Sequence, residues 1–234
     1  MNNLVNTLPD EKCMPIPGAK ILELLTGEGV ILKMNYLAHA FLSFNRGELL
    51  TGNMISDFVK GSAQYAYPPG IRAGILLHRA IDIFTDAHPA TARAKSFFRP
   101  AYRLYAGALS DVVYDHFLAR DDARFEAYGD LGRFSRQTYS LLERYEETFP
   151  ARFRRLFPYM KTQDWLSNYR SGEGLRQSFE GLRRRSKYIT ETDTAFRVFE
   201  EEYASLQECY TEFFPEVLRF SRQKIDEICG ERAG

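Results

Sequence analysis

The 234-residue sequence predicts a single all-α domain, and three observations carry that expectation. Apolar residues recur at three- and four-residue spacing from Asn35 onward, the mark of helices that bury one face. No segment alternates with period two for long enough to make a strand, and no internal repeat or low-complexity tract breaks the pattern. Hydrophobic residues make up 44% of the chain, enough to fill one core.

The elements follow in order. Residues 1–33 hold Pro9, Pro15, Pro17, Gly18, Gly27 and Gly29 and read as an appendage with at most a short helix over 20–25, either flexible or a start assigned too far upstream. The helical domain is expected over 34–229, with a tail over 230–234. Asn35 is placed to cap a first helix whose Tyr36, Leu37, Ala40 and Phe41 share a face. Gly52-Asn53 begins a second helix that runs to Lys60. Pro68-Pro69 forms the first turn of a long third helix, striped by Ile71, Ile75, Leu76, Ala80, Ile81 and Phe84 and ended by Pro89. A helix over 90–98 stops at Pro100, and the next spans 101–119. Later helices are predicted over 131–148, 151–160, 174–186 and 194–223, the last kinked or broken at Pro215.

Charge and cysteine content narrow the function classes. Lys+Arg and Asp+Glu both number 31, so no whole-molecule attraction draws the chain to nucleic acid or an anionic membrane. No apolar run approaches the roughly 18 residues of a membrane span, and no signal-peptide pattern opens the chain. Cys13, Cys209 and Cys229 are far apart and lack metal-knuckle spacing, so free thiols and a cytoplasmic location are expected. Charge is uneven, however: 131–187 carries 13 Lys and Arg against 6 Asp and Glu, and 191–234 carries 5 against 11. The basic middle is a docking surface for an acidic partner or a set of solvated helix faces.

All four histidines lie between His39 and His116. His78, Asp82 and Asp86 stand at i, i+4 and i+8; Asp111 and Asp115 form a second i, i+4 pair, with His116 directly after. Like charges one turn apart are mildly destabilising, so two such sets need a reason. Imidazole and carboxylate on facing helices suit a divalent cation. Singly, each residue has an ordinary reading: His39 hydrogen-bonded in a core, His88 capping a helix end, Asp86 paired with Arg79, Asp115 paired with Arg120. Jointly they point to a metal or catalytic site. ExxH helix pairs, HExxH, GxSxG and GxxxxGK[ST] are absent, and no cysteine neighbours a histidine.

Several segments carry a resemblance. Met34-Asn35-Tyr36-Leu37-Ala38-His39, Gly52-Asn53 with Asp57-Phe58-Val59-Lys60-Gly61, His78-Arg79-Ala80-Ile81-Asp82 with Phe84-Thr85-Asp86 and His88-Pro89, and Asp111-Val112 with Tyr114-Asp115-His116-Phe117-Leu118-Ala119 resemble the acyl carrier protein phosphodiesterase family. The strong motifs cover about Met34 to Arg120. The resemblance implies a divergent relative of the HD-domain phosphohydrolases, an all-α, metal-dependent fold. Its activity removes 4′-phosphopantetheine from holo-acyl carrier protein to leave the apo form, with Mn²⁺ as the metal. On that basis His39, His78, Asp82 and Asp115 are the expected ligands, Asp57 a ligand or base, and His88 or His116 the general acid, with Asp86 and Asp111 completing the catalytic set. Lys60 and Arg79 are expected at the phosphate, and Arg183, Arg184 and Arg185 at the acidic carrier; neither nucleic acid nor membrane is an expected partner. Two departures stand out: Phe41 replaces a second histidine found in some members, and the adjacent His-Asp pair is absent, since Arg79 follows His78 and Asp115-His116 is reversed. Two other readings remain open, namely the same chemistry on a nucleotide or other small phosphate ester, and a helical binding protein without activity.

Overall fold

The computed structural model describes residues 35–230; the expected appendage over 1–33, its short helix and Cys13 lie outside them, as do residues 231–234. The described residues form one all-α domain without strands. Its helices are α1 (Tyr36–Phe41), α2 (Gly47–Ile55), α3 (Pro69–Ala87), α4 (Pro89–Tyr102), α5 (Ala106–Arg120), α6 (Leu131–Glu143), α7 (Ala151–Thr162), α8 (Trp165–Asn168), α9 (Gly172–Arg185), α10 (Asp193–Glu201) and α11 (Tyr203–Gly230). Short 3₁₀ turns join several of them.

The centre of the molecule is α5. Thirteen of its fifteen residues are buried, including Asp111, Asp115 and His116, as expected for a helix enclosed on all sides. Around it pack α1, α4, α9 and α11, and α11 also lies along α3. An aromatic cluster ties the layers together: Phe41 of α1 meets Phe125, Phe134 and Phe214 with ring centroids 5.4, 5.9 and 5.8 Å apart. The residue standing in place of a second histidine is therefore core.

The crossing of α2 and α3 is a close one. A Cβ on Gly52 would lie 1.9 Å from the Ile71 carbonyl oxygen, and one on Gly74 would lie 2.1 Å from that of Leu49. Only hydrogen fits at either position. This approach brings Asn53, next to Gly52, against His78, one turn beyond Gly74.

Several boundaries differ from expectation for physical reasons. Gly52-Asn53 lies late in α2 rather than at its start, because Gly47 to Leu50 already wind as helix. Asn35 makes no side-chain cap; the first-turn amides of α1 are met by Asp115 of α5 instead. Pro100 sits inside α4, close enough to its end for the helix to close first at Arg103, where φ is +48°. The predicted 194–223 helix is two, broken at Glu202, while Pro215 is accommodated within α11. In the α3 stripe, Ile71, Ile75 and Ile81 are buried, but Leu76 is exposed.

Candidate metal centre

Two imidazoles define the site. His39 on α1 and His78 on α3 stack with ring centroids 4.0 Å apart and planes inclined by 17°, and both are buried. Asn53 holds them. Its side-chain NH₂ donates to the His39 carbonyl oxygen and to Ser43 Oγ, at 3.0 Å each. The carbonyl can only accept, which fixes the amide orientation and leaves Asn53 Oδ1 as an acceptor. Nδ1 of His39 therefore donates to Asn53 Oδ1 at 2.7 Å, and Nδ1 of His78 donates to the Asn53 main-chain oxygen at 2.8 Å.

With both Nδ1 atoms protonated, both neutral Nε2 atoms carry lone pairs. These nitrogens are buried without a hydrogen-bond partner among the described residues. They face carboxylates: Asp82 Oδ1 is 3.5 Å from His39 Nε2, Asp82 Oδ2 is 3.7 Å from His78 Nε2, and Asp57 Oδ1 is 3.3 Å from His78 Nε2. Acceptors pointed at acceptors repel unless a cation or proton lies between them. Burial and the neighbouring His78 hold His39 below the usual histidine range. Burial also depresses His78, but Asp57 and Asp82 outweigh it and raise it. His39, His78 and Asp82 each offer a ligand atom within 4.8 Å of the others. Nε2 donors whose Nδ1–H groups are tied to carbonyl-type oxygens are the arrangement metal-ligating histidines adopt, so these residues fit a divalent cation.

The other expected residues are distributed differently. Asp57 joins the group through His78. Asp115 does not: its two carboxylate oxygens accept the Leu37 and Ala38 amides at 3.0 and 2.8 Å, so it anchors α1, and burial pushes its carboxyl well up despite those bonds. Asp86 is on the surface in an ion pair with Lys95 at 2.8 Å. His88 caps α4, its Nδ1 accepting the Ala90 amide at 3.2 Å while Nε2 meets Glu216 at 3.3 Å. His116 donates from Nδ1 to the Tyr169 carbonyl at 2.7 Å and packs edge-on to Phe199; burial lowers its pKa. Asp111 is buried on α5 beside a small internal gap lined by Asn35, Ala38 and Tyr114.

Among the basic residues, Lys60 is exposed, whereas Arg79 is committed to Gln64 Oε1 at 3.1 Å and the Val59 carbonyl at 2.9 Å. It braces the segment that carries Asp57. Arg183 and Arg184 both bind Glu180, at 2.6 and 3.0 Å, and the Arg183 bond above all draws that carboxyl down to about 2. Arg185 alone turns inward. Asn53 is the functional residue that sequence reasoning left without a role, although its place in the Gly52-Asn53 pair was visible.

The fold and site together define a class: a helical protein whose buried histidine–carboxylate group can hold a divalent cation. The family model described as "Acyl carrier protein phosphodiesterase" matches residues 34–217. Curated relatives with that name include one from Yersinia pestis, 32% identical over 191 residues, and one from Enterobacter sp. (strain 638), 31% identical over 191; each alignment covers 82% of this chain and 99% of the relative. A third, from Photorhabdus laumondii, is 29% identical, covering 82% of this chain and 96% of the relative. The chain belongs to the acyl carrier protein phosphodiesterase family. No solved structure gives a significant match.

Proposed function

We propose that the protein hydrolyses the phosphodiester joining 4′-phosphopantetheine to a serine of holo-acyl carrier protein, with Mn²⁺ as its metal. One observation carries the chemistry: two buried Nε2 atoms, aimed by Asn53, converge with Asp82 and Asp57. Family membership supplies the substrate.

In this reading His39, His78 and Asp82 hold the cation. A divalent cation in such a position supplies charge neutralisation at the phosphoryl oxygens and acidifies water. Asp57, 3.3 Å from His78 Nε2, orients the attacking water and takes its proton. Water adds to phosphorus, the bond from phosphorus to the serine oxygen breaks, and the serine oxygen leaves with a proton drawn from solvent, while the proton taken by Asp57 returns to solvent. Asp115 contributes by fixing α1, and so His39, without reaching substrate. His88, His116 and Asp86 keep the bonds described above and are given no part in the reaction.

The test is to incubate the full chain with Mn²⁺ and holo-acyl carrier protein, weigh the carrier by mass spectrometry, and run nucleotides and small phosphate esters in parallel. Loss of the phosphopantetheine mass from the carrier supports the reading. An intact carrier beside a hydrolysed small ester replaces it with the alternative substrate class, and no hydrolysis at all leaves a binding protein.

A further inference from the structure

Arg183, Arg184 and Arg185 end the same helix, yet they face different surroundings. The first two lie against Glu180 with about two-fifths of each side chain exposed, 38% and 42%. The third folds back. Its Nε donates to the Gly181 carbonyl at 2.8 Å, which fixes the stem, and its two terminal nitrogens are buried without a hydrogen-bond partner among the described residues. The Tyr36 hydroxyl is in the same condition. Arg185 interacts electrostatically with Tyr36, Tyr169 and Asp57, and Tyr36 with Asp57 in turn. Asp57 is also the carboxylate beside His78. Asp57 thus links the unsatisfied guanidinium electrostatically to His78, and Tyr36 stands on α1 one turn before His39.

Burying the terminal nitrogens of a guanidinium without hydrogen bonds is costly, and arginine does not escape by losing its proton. A fold keeps such a group when something else uses it. The two terminal nitrogens present a planar fork of N–H donors that matches two oxygens of a phosphoryl group. The Tyr36 hydroxyl is a neutral donor, because burial raises its pKa far above neutrality.

We propose that Arg185 and the Tyr36 hydroxyl form an oxyanion site beside the metal centre that takes the non-bridging oxygens of the substrate phosphodiester. The inference rests on the phosphodiesterase reading and gives Arg185 a different task from the neighbours with which its sequence groups it. Negative charge grows on the non-bridging oxygens as water adds, so a preorganised donor there acts on kcat; losing one such donor typically costs roughly 10²- to 10³-fold.

The probe is inorganic phosphate, used with the full chain and with the variants Arg185→Met and Arg185→Lys. Thermal melts are run with EDTA and, separately, with Mn²⁺, and phosphate inhibition of turnover is measured with Mn²⁺. In the wild type phosphate raises Tm under both conditions, since a ligand of the folded state stabilises it. Arg185→Met abolishes the shift in EDTA and weakens phosphate inhibition by about tenfold or more, because the donor fork is gone. Its metal content stays wild-type, and its Tm without phosphate is unchanged or higher because buried donors without partners have been removed. Arg185→Lys, a charge without the fork, falls between. A Met variant that keeps the phosphate shift overturns the proposal; so does one that loses several degrees without phosphate, the mark of a packing residue. If the wild type leaves the carrier intact yet binds phosphate through Arg185, the substrate reading falls and the oxyanion site stands. If it cleaves the carrier and Arg185→Met keeps kcat and phosphate affinity, the oxyanion site falls and the substrate reading stands.

Discussion

His39 and His78, 39 positions apart in the sequence, stack face to face at 4.0 Å, and the single side chain of Asn53 sets the tautomer of the first while its backbone sets that of the second. Removing one ligand from this set should empty it. In His39→Ala and Asp82→Ala, bound Mn²⁺ measured by plasma mass spectrometry is expected to fall below one-tenth of wild type, with turnover lost and the circular dichroism spectrum unchanged. Full activity in both variants would remove the metal assignment.

Asn53→Ala leaves every ligand in place and frees the His39 ring, while the main-chain acceptor of His78 remains. Partners in this outer position typically contribute about 10- to 100-fold in metal affinity, so the expected result is a Kd for Mn²⁺ weakened by that factor, with part of kcat restored at high metal concentration. An unchanged Kd would show that the packing of α1 aims His39 without this bond.

Asp115→Ala tests the anchor of α1. One buried and one partly buried amide lose their acceptor, at up to about 1–3 kcal/mol each, and each kcal/mol lowers Tm by roughly 2–4 °C in a domain of this size. The variant should melt several degrees lower and lose metal affinity through His39. If Asp115 were instead a ligand only, the metal would go and the Tm of the metal-free protein would not move.

Gly52→Ala places a methyl group where the Ile71 carbonyl lies. Overpacking of this kind costs about 1–3 kcal/mol, and here it also pushes α2 from α3, so Asn53 withdraws from His78. Stability and metal affinity should fall together, and a variant with wild-type values of both would show that the crossing has slack.

The double variant Arg183→Glu, Arg184→Glu addresses docking of an acidic carrier. Single exposed pairs contribute roughly 0–1 kcal/mol, but a patch can change association rates by about 10- to 10³-fold and loses that effect as salt rises. The expected outcome is a lower kcat/KM on the carrier with a flatter salt dependence and an unchanged kcat. Identical salt profiles for variant and wild type would mark these arginines as a solvated helix face.

Much of the helical pattern was legible because burial follows periodicity, and His39, His78 and Asp82 stood out as chemistry on apolar faces. Asp86 illustrates the limit. Eight residues turn a helix by about 800°, some 80° past two full turns, so a row beginning at the buried His78 has drifted to the surface by Asp86, where Lys95 meets it. Asp115 shows a different one. Its partners are amides of α1, and backbone groups leave no trace in a pattern of side chains. His116 was equally opaque, since a bond to the Tyr169 carbonyl depends on how chain segments meet, whereas a capping role for His88 was readable from its place at a helix end before Pro89. In Arg183-Arg184-Arg185 the difference in direction comes from about 100° of rotation per residue acting on three identical letters.

The span between α1 and its anchor has a kinetic meaning. Six residues are far too few to hold a helix on their own, and the bonds that secure α1 reach 78 and 77 positions along the chain. Closing so long a loop is slow compared with forming any local turn. A nascent or refolding chain can therefore complete α3, with His78 and Asp82 on it, before α1 is secured to α5, so the helix that carries His39 is steadied later than the one that carries His78.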